Sequence, residues 1–310
     1  MRAAINMSAI MLVLPLFMYG SAIAGELPAG LSWGDSVGPA AAVLEKRCRL
    51  THPIEVDPPS FPLAEHEECH YLCEDLQSER NRVSQAVFVF ADDKLVMIEA
   101  RGGAIAAFAR PSADSDSYMH YEIHKEGEVW VDTEADAVWF LNDAARHPNL
   151  FTFSNPFLSG QSDELPQYVK SAAIPPILDF DVSLEHANSR FISSCPLLYS
   201  EDSRVWLPNK PSKQVQVNCF GYEYGGFPRK FEAIYGDGRL EMVWILTGKG
   251  EEVRLRQALI AAFGPAEHIN DQWEIFARFR VALRKDKPEI LLLSEEMVSH
   301  YQAELLGEPE

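Results

Sequence analysis

Long apolar stretches are scarce in this 310-residue chain. The one run of note, Ile10 to Tyr19, falls short of the roughly 20 residues a membrane span needs and is interrupted by Pro15. Basic side chains are also few: 27 Lys and Arg stand against 46 Asp and Glu, a formal net charge of −19. That deficit argues against nucleic acid and anionic membranes as partners, because both demand a basic surface. Sharp catalytic motifs are missing as well. There is no G-x-S-x-G elbow for a nucleophile, and neither a G-x-x-x-x-G-K-[ST] nor a G-x-G-x-x-G phosphate loop. No cofactor is implied.

What is present begins with an export signal. Residues Met1 to Ala24 read as a secretory signal peptide: one charge (Arg2), the apolar run, then Ala22-Ile23-Ala24 ahead of Gly25. No Cys follows the expected cleavage point, so a lipid anchor is not signalled. The expected product is soluble and periplasmic or secreted, with no membrane association after cleavage. Its charge is uneven: residues 25–177 hold 25 acidic and 11 basic side chains, whereas 178–310 hold 21 and 15. Such a surface steers toward a basic protein or a cation.

Much of the mature chain is one module written twice. The stretch YGDGRL (Tyr235 to Leu240) lies between alternating apolar runs, and Asp-Gly in that setting signals a type I′ hairpin. FADDKL (Phe90 to Leu95) is a worn copy of it. LSWGDS (Leu31 to Ser36) answers LDFDVS (Leu178 to Ser183), which aligns Trp33 with Phe180 and Cys48 with Cys195. AIAAFARP (Ala104 to Pro111) answers LIAAFGP (Leu259 to Pro265), and Val129 to Leu141 tracks Val281 to Leu293 at an offset of 152. The repeat pairs Cys48 with Cys73 and Cys195 with Cys219, leaving Cys69, opposite Val215, as the odd thiol.

The fold class expected is therefore α+β: a tandem duplication of helix, three-strand antiparallel meander, helix and three-strand meander, each copy with one disulfide. The divisions are a signal peptide (1–24), a degenerate, strongly acidic first repeat (25–145), a Pro-rich linker (146–177) and a second repeat (178–310). Within the linker, Asp163 to Ala173 reads as a short helix. Thr51 to Glu68, with four prolines, reads as a long irregular loop. In the first copy Arg101-Gly102-Gly103 replaces a full helical turn or more of the second helix, which is shortened by about ten residues.

Three clusters carry residue types with chemistry. His66, Cys69 and His70, within EHEECHYLC (Glu65 to Cys73), are zinc-binding types at close spacing, but the second copy has Ser212, Val215 and Gln216 there. His120, Glu122 and His124 alternate, so a strand would place them on one face; of these only Glu122, matched by Glu274, persists in the second copy. Tyr222, Tyr224 and Phe227 flank a Gly-Gly turn and suit an exposed protein-binding tip. The six tryptophans belong by default to the core.

In plan, the chain resembles exported inhibitor proteins built from two disulfide-stapled α+β repeats that present a concave sheet to an enzyme. Sequence thus favours a non-catalytic binding protein of the bacterial envelope, an inhibitor or immunity protein against a basic envelope-acting enzyme. The alternatives are a periplasmic hydrolase or metal-dependent enzyme, and an envelope assembly or structural factor.

Overall fold

The structure, a computed structural model, describes residues 27–109, 115–159, 168–203 and 206–307; the expected signal peptide lies outside them. The first half runs α1 (Val37–Arg47), β1 (Leu50–Val56), β2 (Glu68–Gln77), β3 (Arg82–Ala91), β4 (Lys94–Arg101), α2 (Ala104–Phe108), β5 (Asp116–Tyr118), β6 (Tyr121–His124), β7 (Val129–Asp132) and β8 (Ala137–Leu141). A single helical turn, α3 (Asp143–Arg146), leads out of it. The second half repeats the order with α4 (Leu184–Ser194), β9 (Leu197–Asp202), β10 (Gln214–Tyr224), β11 (Phe227–Gly236), β12 (Arg239–Leu246), α5 (Glu252–Phe263), β13 (His268–Ile269), β14 (Trp273–Phe276), β15 (Val281–Arg284) and β16 (Glu289–Leu293), and closes on α6 (Glu295–Leu306).

Each half builds one eight-stranded antiparallel sheet, ordered β1-β2-β3-β4-β8-β7-β6-β5 and, in mirror listing, β9-β10-β11-β12-β16-β15-β14-β13. The fold is mixed α+β in two similar halves. The meanders have four strands and not the expected three, the additions being the outer strands β1, β5, β9 and β13. Their signal is weak for a physical reason. β1 lies in the stretch read as an irregular loop and contains Pro53, opposite Tyr71; a sheet edge tolerates proline because the missing N–H costs no ladder bond. β13 is only two residues long.

Both faces of each sheet are covered, so inner strands read as continuous apolar runs. Phe88 and Phe90 of β3 and Val138 and Phe140 of β8 join the core under α1 and α2. Their neighbours Val87, Val89, Trp139 and Leu141 join a second core on the opposite face. In the second half, α4 and α5 cover Ile290 and Leu292 of β16, while α6 covers Leu291 and Leu293. Antiparallel sheets more often leave one face wet and alternate accordingly.

The disulfides are those the repeat requires. Cys48–Cys73 and Cys195–Cys219 bridge Cα separations of 5.5 and 5.3 Å. Cys48 and Cys195 are the C-caps of α1 and α4, so each bridge pins the end of a helix to the second strand of its sheet. The hairpin stretches also correspond in detail. Asp92 and Asp93, like Asp237 and Gly238, all have positive φ. The Asp92 carboxylate accepts the amides of His66 and Glu67, and that of Asp237 accepts the amides of Ser212 and Lys213. The turn thus ties down the loop that enters the second strand of its own copy.

The linker is not a passive spacer. Phe151, Phe153 and Leu158 are buried on the first sheet beside Phe220 and Phe227 of the second half, so this core joins the two halves. Of the helix expected over Asp163–Ala173, residues 163–167 lie outside the described residues, and 168–173 are not helical. The proline-bearing loop 57–67 crosses to the other half. Arg254 donates to the carbonyls of Phe61 and Ala64 at 2.8 and 2.6 Å. Gly248 approaches Pro62 so closely that a Cβ there would lie 2.3 Å from the Pro62 carbonyl oxygen. No helix among the described residues is long and apolar enough to cross a membrane.

Candidate functional site

The alternation that would align His120, Glu122 and His124 is broken at its first member. His120 sits in the β5–β6 turn, stacks on Tyr121 and lies 3.5 Å from Asp132, while Glu122 and His124 approach each other at 3.7 Å. The repeat explains the glutamate. Its counterpart Glu274 is buried and accepts two bonds from Arg256 Nε, at 2.7 and 2.9 Å, which fasten α5 to β14. In the first copy α2 has only five residues and supplies no such arginine, so Glu122 is left half-exposed. The persistent carboxylate is a helix anchor that lost its helix in one copy.

His66, Cys69 and His70 are likewise dispersed. His66 projects from an exposed loop, Cys69 packs toward α1, and His70, the next residue on β2, faces the other way and is fully buried. Among the described residues no three His, Cys, Asp or Glu side chains converge as a metal site. Burial, with the nearby Glu55 carboxylate, pushes the Cys69 thiol up to about 11.

His70 instead belongs to a buried polar chain. Asn155 Oδ1 accepts the Phe157 amide, so its NH2 is turned to His70 Nδ1 at 2.7 Å. His70 therefore accepts through Nδ1 and donates through Nε2 to Glu68 Oε1, 2.5 Å away. The second Glu68 oxygen accepts the amides of Ser60 and Phe61. Burial pushes the Glu68 carboxyl up, but the His70 bond and the two amides outweigh it and hold the carboxyl below its usual range. The Asn155 amide donates to Glu99, which also pairs with Arg101. There burial prevails and raises the Glu99 carboxyl. This chain joins the sheet to the linker and to the crossing loop. With its members enclosed and bonded to one another, it cements the fold.

The expected aromatic tip is also interior. Tyr224 is 1% and Phe227 2% exposed. Tyr224 donates its hydroxyl to the Ala172 carbonyl, and Phe227 packs edge-on to Phe61. Of the three, only Tyr222 is partly open to solvent. The opposite error concerns Trp206, assigned by default to the core and 86% exposed.

An open concavity lies elsewhere, at the helix-covered face of the first sheet. A pocket of about 280 Å³ is lined by Leu27, Leu31, Ser32, Trp33, Lys125, Glu128, Val129 and Phe140. Trp33 enters it from the segment before α1, where Ser36 is the N-cap. Lys125 and Glu128 come from the β6–β7 turn, with Lys125 Nζ 3.9 Å from the Glu128 carboxylate. The second copy holds the same geometry. Phe180 precedes the N-cap Ser183 by the same three residues. Lys125-Glu126-Gly127 and Ala277-Arg278-Phe279 are both runs of three positive φ. The Glu128 carbonyl accepts from the Leu141 amide as the Arg280 carbonyl accepts from the Leu293 amide. Yet Arg280 lays its guanidinium over the Phe180 ring, 5.3 Å from the centroid. Sequence reasoning missed this site, although the aligned pairs Trp33/Phe180 and Glu128/Arg280 were its signal.

No protein-family model matches the chain, and no curated protein or solved structure does either.

Proposed function

We propose that this chain is an exported, non-catalytic binding protein of the bacterial envelope, acting on a basic envelope enzyme as an inhibitor or immunity protein. One observation carries the reading. The open pocket offers an aromatic and apolar lining with a carboxylate beside it, a chemistry suited to binding. Four buried ionisable side chains have structural partners: His70, Glu68 and Glu99 are held in the buried chain between sheet and linker, and Glu274 anchors α5. The acidity concentrated in the first repeat favours a basic partner and rapid encounter with it.

The test is affinity capture from periplasmic extract with the disulfide-intact protein, at low salt and again near 1 M. A basic enzyme should be retained at low salt and released at high salt, where the Debye length shrinks to about 3 Å, and its activity should fall when the purified chain is added. Retention indifferent to salt, or a partner without net positive charge, refutes the reading.

A further inference from the structure

The two copies share one architecture at the pocket but differ in what fills it. In the second copy the space beside Phe180 is taken by that copy's own Arg280, whose guanidinium lies within cation–π range of the ring and whose Nε donates to the Leu293 carbonyl at 3.3 Å. In the first copy Trp33 replaces Phe180, a better cation–π platform, and Glu128 replaces Arg280. The internal cation is exchanged for a carboxylate, and a pocket of about 280 Å³ is open at that place. From this substitution we infer that the first-repeat pocket binds an arginine side chain presented by a partner protein: its guanidinium stacks on Trp33 as Arg280 does on Phe180, and Glu128 accepts its hydrogen bonds.

The chemistry fits the lining. Leu31, Val129 and Phe140 offer apolar surface to the methylene stem of an arginine, while the planar head prefers an aromatic face and a carboxylate it can bond twice. Lys125 reaches Glu128 only at 3.9 Å, the outer limit of an ion pair, so a guanidinium at bonding distance competes effectively for that carboxylate. The net negative charge of the first repeat favours the same class of ligand. The inference rests on the binding-protein reading above and names the group by which the partner is gripped.

The test titrates the intact protein with N-acetylarginine amide, and with N-acetylcitrulline amide as its uncharged isostere, while following the Trp33 indole N–H by NMR. The arginine probe should shift that signal saturably in the millimolar range, and the citrulline probe should bind at least about tenfold more weakly. Glu128→Arg rebuilds the second copy's arrangement and should abolish the response by filling the pocket from within. Glu128→Gln, which keeps the shape, should weaken it severalfold and serves if the arginine variant misfolds. Equal response to both probes, or an unchanged titration in both variants, overturns the inference. So does an indole signal that moves with protein concentration alone, which would give the pocket to a second copy of the chain. Salt-sensitive capture of a basic enzyme by wild type and Glu128→Arg alike would keep the binding-protein reading and reject this pocket. An arginine response without any captured partner would do the reverse.

Discussion

Among single residues, Cys69 and Glu68 show how position on a strand decides chemistry. They are neighbours on β2, and neither behaves as its type does in water. Cys69, with its thiol pushed up to about 11 by burial and by Glu55, should resist alkylation at pH 8 by about two orders of magnitude relative to an exposed thiol. Counting iodoacetamide adducts against time on the non-reduced protein checks this, and the same count should find one thiol and not three. For Glu68 the folded carboxyl titrates below the unfolded one. Its contribution is therefore fully present above the unfolded pKa and is lost as pH falls through the folded value. Glu68→Gln should cost on the order of 2 kcal/mol at neutral pH, and the difference between the two unfolding curves should shrink below about pH 4. A difference that stays constant into acid would place the carboxylate outside the stabilising chain. The oddness of Cys69 was legible from the repeat alone. The role of Glu68 was not, because its amide donors Ser60 and Phe61 are supplied by loop 57–67 folding back onto β2, which no local pattern announces.

At the scale of elements, the duplication was readable and the edges were not. Helices α4, α5 and α6 and the inner strands of the second half follow the periodicity of their residues. β1 was hidden by Pro53, and β5 and β13 by their brevity. α2 shows what is lost when a repeat decays. Gly102 and Gly103, at φ of 71 and 83°, turn the chain into a five-residue helix held by the Asp136 carboxylate, which accepts the Ile105 amide at 3.0 Å. The Arg256–Glu274 fastening of the longer α5 has no counterpart there. The disulfides act at this scale too. Replacing Cys195 and Cys219 together by alanine should destabilise the second half by about 3 kcal/mol, through the entropy restored to a loop of 24 residues in the unfolded chain. Chemical denaturation under non-reducing conditions measures it, and a loss below about 1 kcal/mol would mean that packing of Phe191 and Ala187 against the sheet already fixes α4.

For the whole molecule, the consequential contact is the one between halves. Phe61 and Phe227 meet with centroids 5.8 Å apart, the buried Arg229–Glu251 pair accepts the Gly248 amide, and Gly248 lies against Pro62. Gly248→Ala should push loop 57–67 from the β12–α5 turn, because backbone atoms stand where the methyl must go. We expect calorimetry to change from one unfolding transition to two, with loop 57–67 newly cut by protease. A single transition at the wild-type temperature would show that the loop gives way without separating the halves.

The sequence by itself determined the duplication, the alternation of helix and meander, the disulfide pairs and the positive-φ hairpin turns, because each depends on residues near one another or on their counterparts one repeat away. It also determined the net acidity of the chain. Tertiary structure alone decided which residues face solvent. It buried Tyr224, Phe227 and His70, exposed Trp206, placed His120 in a turn and not on the strand of Glu122, and opened a pocket at Trp33. Those outcomes depend on which sheet face the linker and the opposite half cover, and that covering is settled by packing between distant segments that no local pattern encodes.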